Sequence, residues 1–307
     1  MHLTSIIPTE PLSHPSLTNF RLEVSVKRLD LVHPEFSGNK FFKLKYNLEK
    51  AKSEGKTKIL TFGGAFSNHI YATAKAAQTE NLQAIGIIRG ERTEPLNYTL
   101  RSAEESGMQL DFIDRGSYRN KTEPEFLAVL AEKFGDFYLI PEGGTNELAI
   151  KGTQEILSHK DSEYTHITTS IGTGGTFSGL FSSLENHQKL LGFSSLKGEF
   201  IHGEIADLIK KHHIDGQKLY EIFTNYHFGG YAKHKPELIE FIWWFYENFE
   251  IVLDPIYTGK MAYGIWDLIE KNYFPKGSKI LMIHTGGRQG NAGFTERTGI
   301  KLPTPSM

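Results

Sequence analysis

Ile59-Leu60-Thr61-Phe62-Gly63-Gly64-Ala65-Phe66-Ser67-Asn68-His69 reads as a short buried strand, a glycine turn and the first residues of a helix. The run over 59–62 has strand length, and the paired glycines end it. Ser67 is a good N-cap for the alanine-rich segment 68–78. The same grammar extends outward. Strands are expected over 84–88, 110–113, 137–140, 167–170, 189–193, 219–223 and 279–284. Helices are expected over 96–105, 123–134, 147–158, 177–184, 200–213, 236–249 and 260–272. Alternation of apolar strands with helices predicts parallel sheets covered by helices on both faces, an α/β fold. Ligands of such sheets bind beyond the carboxyl ends of strands. Gly63-Gly64, Gly172–Gly175 and Gly286-Gly287 all follow strand signals at that end, so one shared cleft is expected.

At 307 residues the chain can form two lobes around a cleft, or one large domain. Its 39% hydrophobic and 23% charged content is that of an ordinary globular protein. A net charge of −2 gives no general attraction to nucleic acid or to an anionic membrane. No apolar run approaches the roughly 20 residues needed to span a bilayer. The aromatic segment 241–245 lies between Glu240 and Glu247 and reads as a buried helix. The opening from Met1 to Pro8 lacks a basic segment followed by a long apolar one, so it does not read as a secretory signal. The chain has no cysteine, which excludes disulfides, thiolate nucleophiles and cysteine metal sites. No metal is expected. A reducing compartment fits, and a cytoplasmic location is the expectation.

Gly172-Thr173-Gly174-Gly175-Thr176 sits between a strand and a helix. Glycines let backbone N–H groups converge, and a helix N-terminus adds partial positive charge. That describes a phosphate site, and equally an ordinary glycine-rich turn. The loop lacks the Gly-Lys-Ser/Thr ending of a nucleotide P-loop and the spacing of a dinucleotide fingerprint. Upstream, Ser37-Gly38-Asn39-Lys40-Phe41-Phe42-Lys43 places Lys40 in a tight turn that can aim it into a pocket. A lysine that reacts with a carbonyl must be deprotonated, which burial near positive charge favours. Lys43 either assists or is solvated. Ser67 caps its helix, and free N–H groups of that turn can also take a carboxylate. His69 is an acid–base group or a structural histidine. In Asp254-Pro255-Ile256-Tyr257-Thr258-Gly259-Lys260, Tyr257 is placed to face a cofactor ring. Thr258, and Thr285 of His284-Thr285-Gly286-Gly287, are placed to hydrogen-bond a pyridine nitrogen. Alone, both turns would be called structural. In their order along the chain these are the parts needed to hold pyridoxal phosphate.

Together the motifs resemble the pyridoxal-phosphate enzymes that include 1-aminocyclopropane-1-carboxylate (ACC) deaminase and D-cysteine desulfhydrase, from about Val24 to Gly287. The resemblance implies fold type II, the tryptophan-synthase-β-like architecture of two lobes, each with a mainly parallel sheet flanked by helices. A large cofactor lobe over 1–42 and 153–307 and a smaller mobile lobe over 43–152 are the expected division. It implies Lys40 as the cofactor-bearing lysine and Gly172, Thr173, Gly174, Gly175 and Thr176 as the phosphate loop. Ser67 and Asn68, with His69, are implied for the substrate carboxylate, and Asn68 also for the cofactor hydroxyl. Tyr257 and Tyr231 are implied on the substrate side. A homodimer is implied as well.

ACC deaminases of this family carry Glu after the Asp-Pro tyrosine and Leu after the histidine of the last glycine motif. Thr258 and Thr285 stand there in this chain, which looks like the desulfhydrase branch. A carboxylate keeps a pyridine nitrogen protonated and makes the ring a strong electron sink; a hydroxyl supports it far less. A weaker sink suits loss of a good leaving group. Phe66 replaces the usual Gln before the serine, Phe41-Phe42 a polar-Arg pair, and Met282 a common aromatic. Phe66 is expected to make the pocket more apolar. The expectation is therefore a lyase acting on a small amino acid, with Lys40, Tyr257, Tyr231 and Ser67 in the chemistry. Lys40 or a tyrosine such as Tyr257 would take the Cα proton. ACC deamination is the alternative reaction, and a non-catalytic pyridoxal-phosphate or amino-acid binding protein the alternative of another class.

Overall fold

The computed structural model describes residues 7–214 and 218–304; the stretch Met1–Ile6 read above lies outside them. Its strands, in chain order, are β1 (Thr9–Leu12), β2 (Glu23–Arg28), β3 (Lys58–Gly64), β4 (Gln83–Arg89), β5 (Met108–Ile113), β6 (Tyr138–Ile140), β7 (His166–Ile171), β8 (Lys189–Ser194), β9 (Leu219–Phe223) and β10 (Lys279–His284). The helices are α1 (Pro15–Phe20), α2 (Asn39–Ser53), α3 (Asn68–Thr79), α4 (Tyr98–Glu105), α5 (Pro124–Phe134), α6 (Glu147–Gln154), α7 (Gly175–Ser183), α8 (Phe200–Lys211), α9 (Pro236–Phe249), α10 (Thr258–Glu270) and α11 (Gly290–Thr298).

The strands form two sheets. The larger has the order β1-β2-β10-β7-β8-β9 and the smaller β5-β4-β3-β6. Every pairing is parallel except β1 with β2. The apolar strands read from the sequence are the central ones. Interior residues of β3, β4, β7 and β10 are buried, as strands covered by helices on both faces must be. The aromatic helix α9 buries Leu238, Ile242 and Phe245, one stripe at helical spacing, while Trp243 stays 37% exposed. Among the described residues no helix is long and apolar enough to cross a membrane.

Two strands and three helices were not anticipated: β1, β2, α1, α2 and α11. The most consequential is α2, because Lys40 stands in its first turn and not in an isolated tight turn. Gly38 precedes it at φ 77°, ψ −161°, a conformation essentially reserved for glycine. A Cβ at Gly38 would lie 2.2 Å from the Thr285 carbonyl oxygen. The start of α2 is thus pressed against the end of β10, and the Asn39 amide donates to that same oxygen at 3.1 Å.

Candidate active site

The carboxyl ends of β3, β7 and β10 open on one cavity of about 490 Å³ between the two sheets. Lys40, Ser67, Asn68, His69, Gly172, Thr173, Gly174, Gly175, Thr176, Tyr231, Tyr257 and Thr285 all line it. Thr258 does not. Its hydroxyl donates to Asp254 Oδ2 at 2.6 Å, and it is fully buried in the first turn of α10. Asp254 also accepts from the amides of Ile256, Tyr257 and Thr258 at 2.8 to 3.0 Å. The threonine therefore closes the Asp254 turn that leads into α10, and that turn holds Tyr257 against Gly172. Of the two threonines offered for a ring nitrogen, only Thr285 reaches the cavity, with the Ser170 hydroxyl 3.2 Å away.

Burial lowers the Lys40 amine to about 8, so a useful fraction is neutral near neutral pH. Three residues on, one helical turn along the same face, Lys43 is 2% exposed. Its amine donates to the Gly143 carbonyl at 2.6 Å, to Thr145 Oγ1 at 2.9 Å and to Thr173 Oγ1 at 3.3 Å. Burial, and then the charge of Lys40, push Lys43 well below the ordinary lysine range. Sequence reasoning left Lys43 undecided; its spacing from Lys40 was the available signal.

The glycine loop is built for close approach. A Cβ at Gly175 would lie 2.9 Å from Lys43 Cε and from Thr145 Oγ1. Helix α7 has no side-chain cap at its N-terminus, whereas Ser67 caps α3 and Asn146 caps α6. Thr176 Oγ1 accepts from Asn39 Nδ2 at 2.8 Å, which ties the loop to the turn before Lys40. Uncapped N–H groups beside two amines favour a multiply charged anion such as a phosphate.

At α3, Ser67 Oγ accepts from the amides of His69 at 3.2 Å and Ile70 at 3.3 Å. Those amides are therefore occupied, and the serine's own proton is what remains for a carboxylate. The Asn68 side chain lies between Gly287 and Gly290. For His69 the geometry favours the structural one of its two readings. Thr61 Oγ1 donates to the Ile140 carbonyl and so accepts from His69 Nε2 at 2.8 Å. Nδ1 is left a buried acceptor without a donor. Burial, with the charges of Lys40 and Lys43, holds the ring well below its ordinary pKa and therefore neutral. In this arrangement the imidazole offers no proton to a carboxylate.

Tyr231 and Tyr257 meet edge to face, with ring centroids 6.0 Å apart. Burial raises both phenols, Tyr257 strongly, so both stay protonated and act as donors. Phe66 lines the cavity with the Arg297 guanidinium over its outer face at 5.1 Å. Leu196, Phe200 and Ala232 add further apolar lining. Arg89, Glu142 and Ser170 also line the cavity and were not singled out in the sequence.

The chain is similar to known proteins. The chain is 32% identical over 289 residues to a Pyrococcus horikoshii protein that bears the provisional name 1-aminocyclopropane-1-carboxylate deaminase, covering 90% of this chain and 87% of that one. It is 29% identical to the Arabidopsis thaliana bifunctional D-cysteine desulfhydrase/1-aminocyclopropane-1-carboxylate deaminase, over 90% of this chain and 75% of the other. A crystal structure described as an ACC deaminase homologue superposes with a TM-score of 0.83 at 28% identity, covering 96% of this chain and 93% of that one. The two-sheet architecture is that of fold type II. The family model for pyridoxal-phosphate dependent enzymes matches residues 3–286. With an uncapped helix terminus, two buried amines and no opposing carboxylate on the glycine loop, the cavity fits the cofactor of that family, and the chain belongs to the pyridoxal-phosphate dependent enzymes, of the ACC deaminase and D-cysteine desulfhydrase type.

Proposed function

We propose that the chain catalyses β-elimination from a small amino acid of D configuration, in the manner of a D-cysteine desulfhydrase. The observation that carries this choice over ACC deamination is the wall made by β7 and β10. It presents two hydroxyls, Ser170 and Thr285, and no carboxylate to the cavity. Hydroxyls leave a pyridine nitrogen largely unprotonated, and the weaker electron sink suits a good leaving group.

Pyridoxal phosphate, held by Lys40 and the loop from Gly172 to Thr176 with Lys43 beside it, would withdraw electrons from Cα. The Ser67 hydroxyl and Asn68 receive the substrate carboxylate. Lys40, lowered to about 8 by burial, removes the Cα proton. The high phenols of Tyr231 and Tyr257 make poor bases and good hydrogen-bond donors on the substrate side. As the Cα–H bond breaks, the Cβ–S bond breaks with it in net terms, releasing hydrosulfide and 2-aminoacrylate. Water converts the latter to pyruvate and ammonia.

The same proposal includes the division into a lobe of 1–42 and 153–307 and a mobile lobe of 43–152, a homodimeric assembly and a cytoplasmic location. The test is an absorbance spectrum of the protein with pyridoxal phosphate, followed by D-cysteine with sulfide and pyruvate measured. A visible band with sulfide release is expected, and Lys40→Ala should lose the band. A band with turnover of ACC to 2-oxobutyrate instead would overturn the branch assignment. A band without turnover of any D- or L-amino acid would favour the non-catalytic binding protein.

A further inference from the structure

We propose that Arg89 recognises a second anionic group on the substrate, so that the class this cavity selects is amino acids with a carboxylate, or an equivalent anion, attached beyond Cα. The inference rests on the amino-acid reading above and narrows it.

Arg89 ends β4 in register with Gly64 of β3, three residues before Ser67. Its side chain turns along the cavity wall. A guanidinium nitrogen lies 3.5 Å from where a Cβ on Gly64 would stand, and the group sits 5.5 Å over the Tyr118 ring. It lines the same cavity as Tyr231 and Tyr257. The cation is therefore beside the carboxylate turn and shares the cavity with the substrate-side tyrosines.

It is also left over from the chemistry already described. The substrate's α-carboxylate is provided for by Ser67 and Asn68, and the phosphate by α7 and Lys43. Among the described residues Arg89 makes no ion pair and no hydrogen bond, unlike Arg28, Arg92 and Arg101. The cavity holds two carboxylates, Glu142 and Glu204. Glu142 is paired with Lys121 at 3.3 Å. Glu204 is exposed on α8, whose Ile205 and Leu208 pack against the glycine loop. Neither forms an ion pair with Arg89. The rest of the substrate side, Phe66, Leu196, Phe200 and Ala232, is apolar. A side-chain anion entering this space meets the Arg89 guanidinium, whose planar donors match a carboxylate in two bonds.

The test compares alanine and aspartate, each as both enantiomers, which differ by one carboxylate and lack a β leaving group. The cofactor-loaded protein is titrated calorimetrically with each. Aspartate is expected to bind roughly tenfold tighter than alanine, the scale of one charge-assisted hydrogen bond. Arg89→Gln should bring the ratio close to one, and Arg89→Lys should retain part of it. A ratio near one in the unaltered protein overturns the proposal. So does a ratio that survives Arg89→Gln; a parallel loss for both ligands would assign Arg89 to the α-carboxylate instead. If neither alanine nor aspartate binds, the amino-acid reading itself falls and takes this inference with it; alanine binding separates the two failures.

Discussion

Gly38→Ala is the sharpest single perturbation of the site. Gly38 has φ 77° and ψ −161°, which costs an alanine about 1–3 kcal/mol. The new methyl carbon would also lie 2.2 Å from the Thr285 carbonyl oxygen, a backbone atom that cannot rotate away. Relief needs a displacement of about 1 Å between α2 and the end of β10, with overpacking of about 1–3 kcal/mol. That displacement strains the bond from the Asn39 amide to Thr285 and moves Lys40 away from Thr285 across the cavity. Misplacement on this scale is worth about a hundredfold in rate. Gly55→Ala is the control: its φ is 71°, but nothing lies within 4 Å of the added carbon. The assay is thermal unfolding of both variants, with the cofactor absorbance and sulfide release of each. Gly55→Ala should lose about 1 kcal/mol and keep its activity. Gly38→Ala should lose several times that and most of its turnover. Equal stability losses, or unchanged turnover in Gly38→Ala, would refute the argument that the collision with Thr285 sets the position of Lys40.

Three further outcomes are expected. Lys43→Met should weaken pyridoxal phosphate by roughly tenfold or more while affecting pyridoxal little, because the lost amine sits on the phosphate loop; equal loss for both in absorbance titrations would refute that role. Asp254→Ala strands the amides of Ile256, Tyr257 and Thr258, costing about 2–4 kcal/mol in thermal unfolding; an unchanged midpoint would show that the turn before α10 does not depend on this carboxylate. Burial holds both Lys40 and Lys260 at about 8. The unfolded chain then binds more protons between about pH 8 and 10.5, so the cofactor-free protein should gain stability as pH rises through that window and lose it as pH falls through 8. Midpoints that are flat or falling in that range for the unaltered protein, but not for Lys40→Met, would count against the direction.

The strand–glycine–helix units were legible because their causes are local. A short apolar run, a glycine that can take positive φ and a serine that caps the next helix need only neighbouring residues, and they located β3, β7, β10 and the turns after them. Their common cavity followed from parallel topology alone. Strand β2 was illegible for the opposite reason. Lys27 and Arg28 interrupt its apolar pattern, yet both are buried, because Lys27 meets Asp161 at 134 residues' remove and Arg28 is held by Asp30 and Glu10. Lys43 was undecided because its acceptors, Gly143, Thr145 and Thr173, are about a hundred residues or more away. Thr258 and Thr285 looked equivalent in their motifs. Packing separated them, locking the Thr258 hydroxyl onto Asp254 in the turn before α10 and leaving Thr285 facing the cavity. The sequence by itself determined the class of fold and the order of the site's parts, since these follow from short-range sterics and hydrogen bonding, and it pointed to the cofactor through the family resemblance those parts carry. Tertiary structure alone decided which polar side chains are buried, which cations are paired and which hydroxyl faces the cavity, since each depends on partners that only the folded chain brings within a few ångströms.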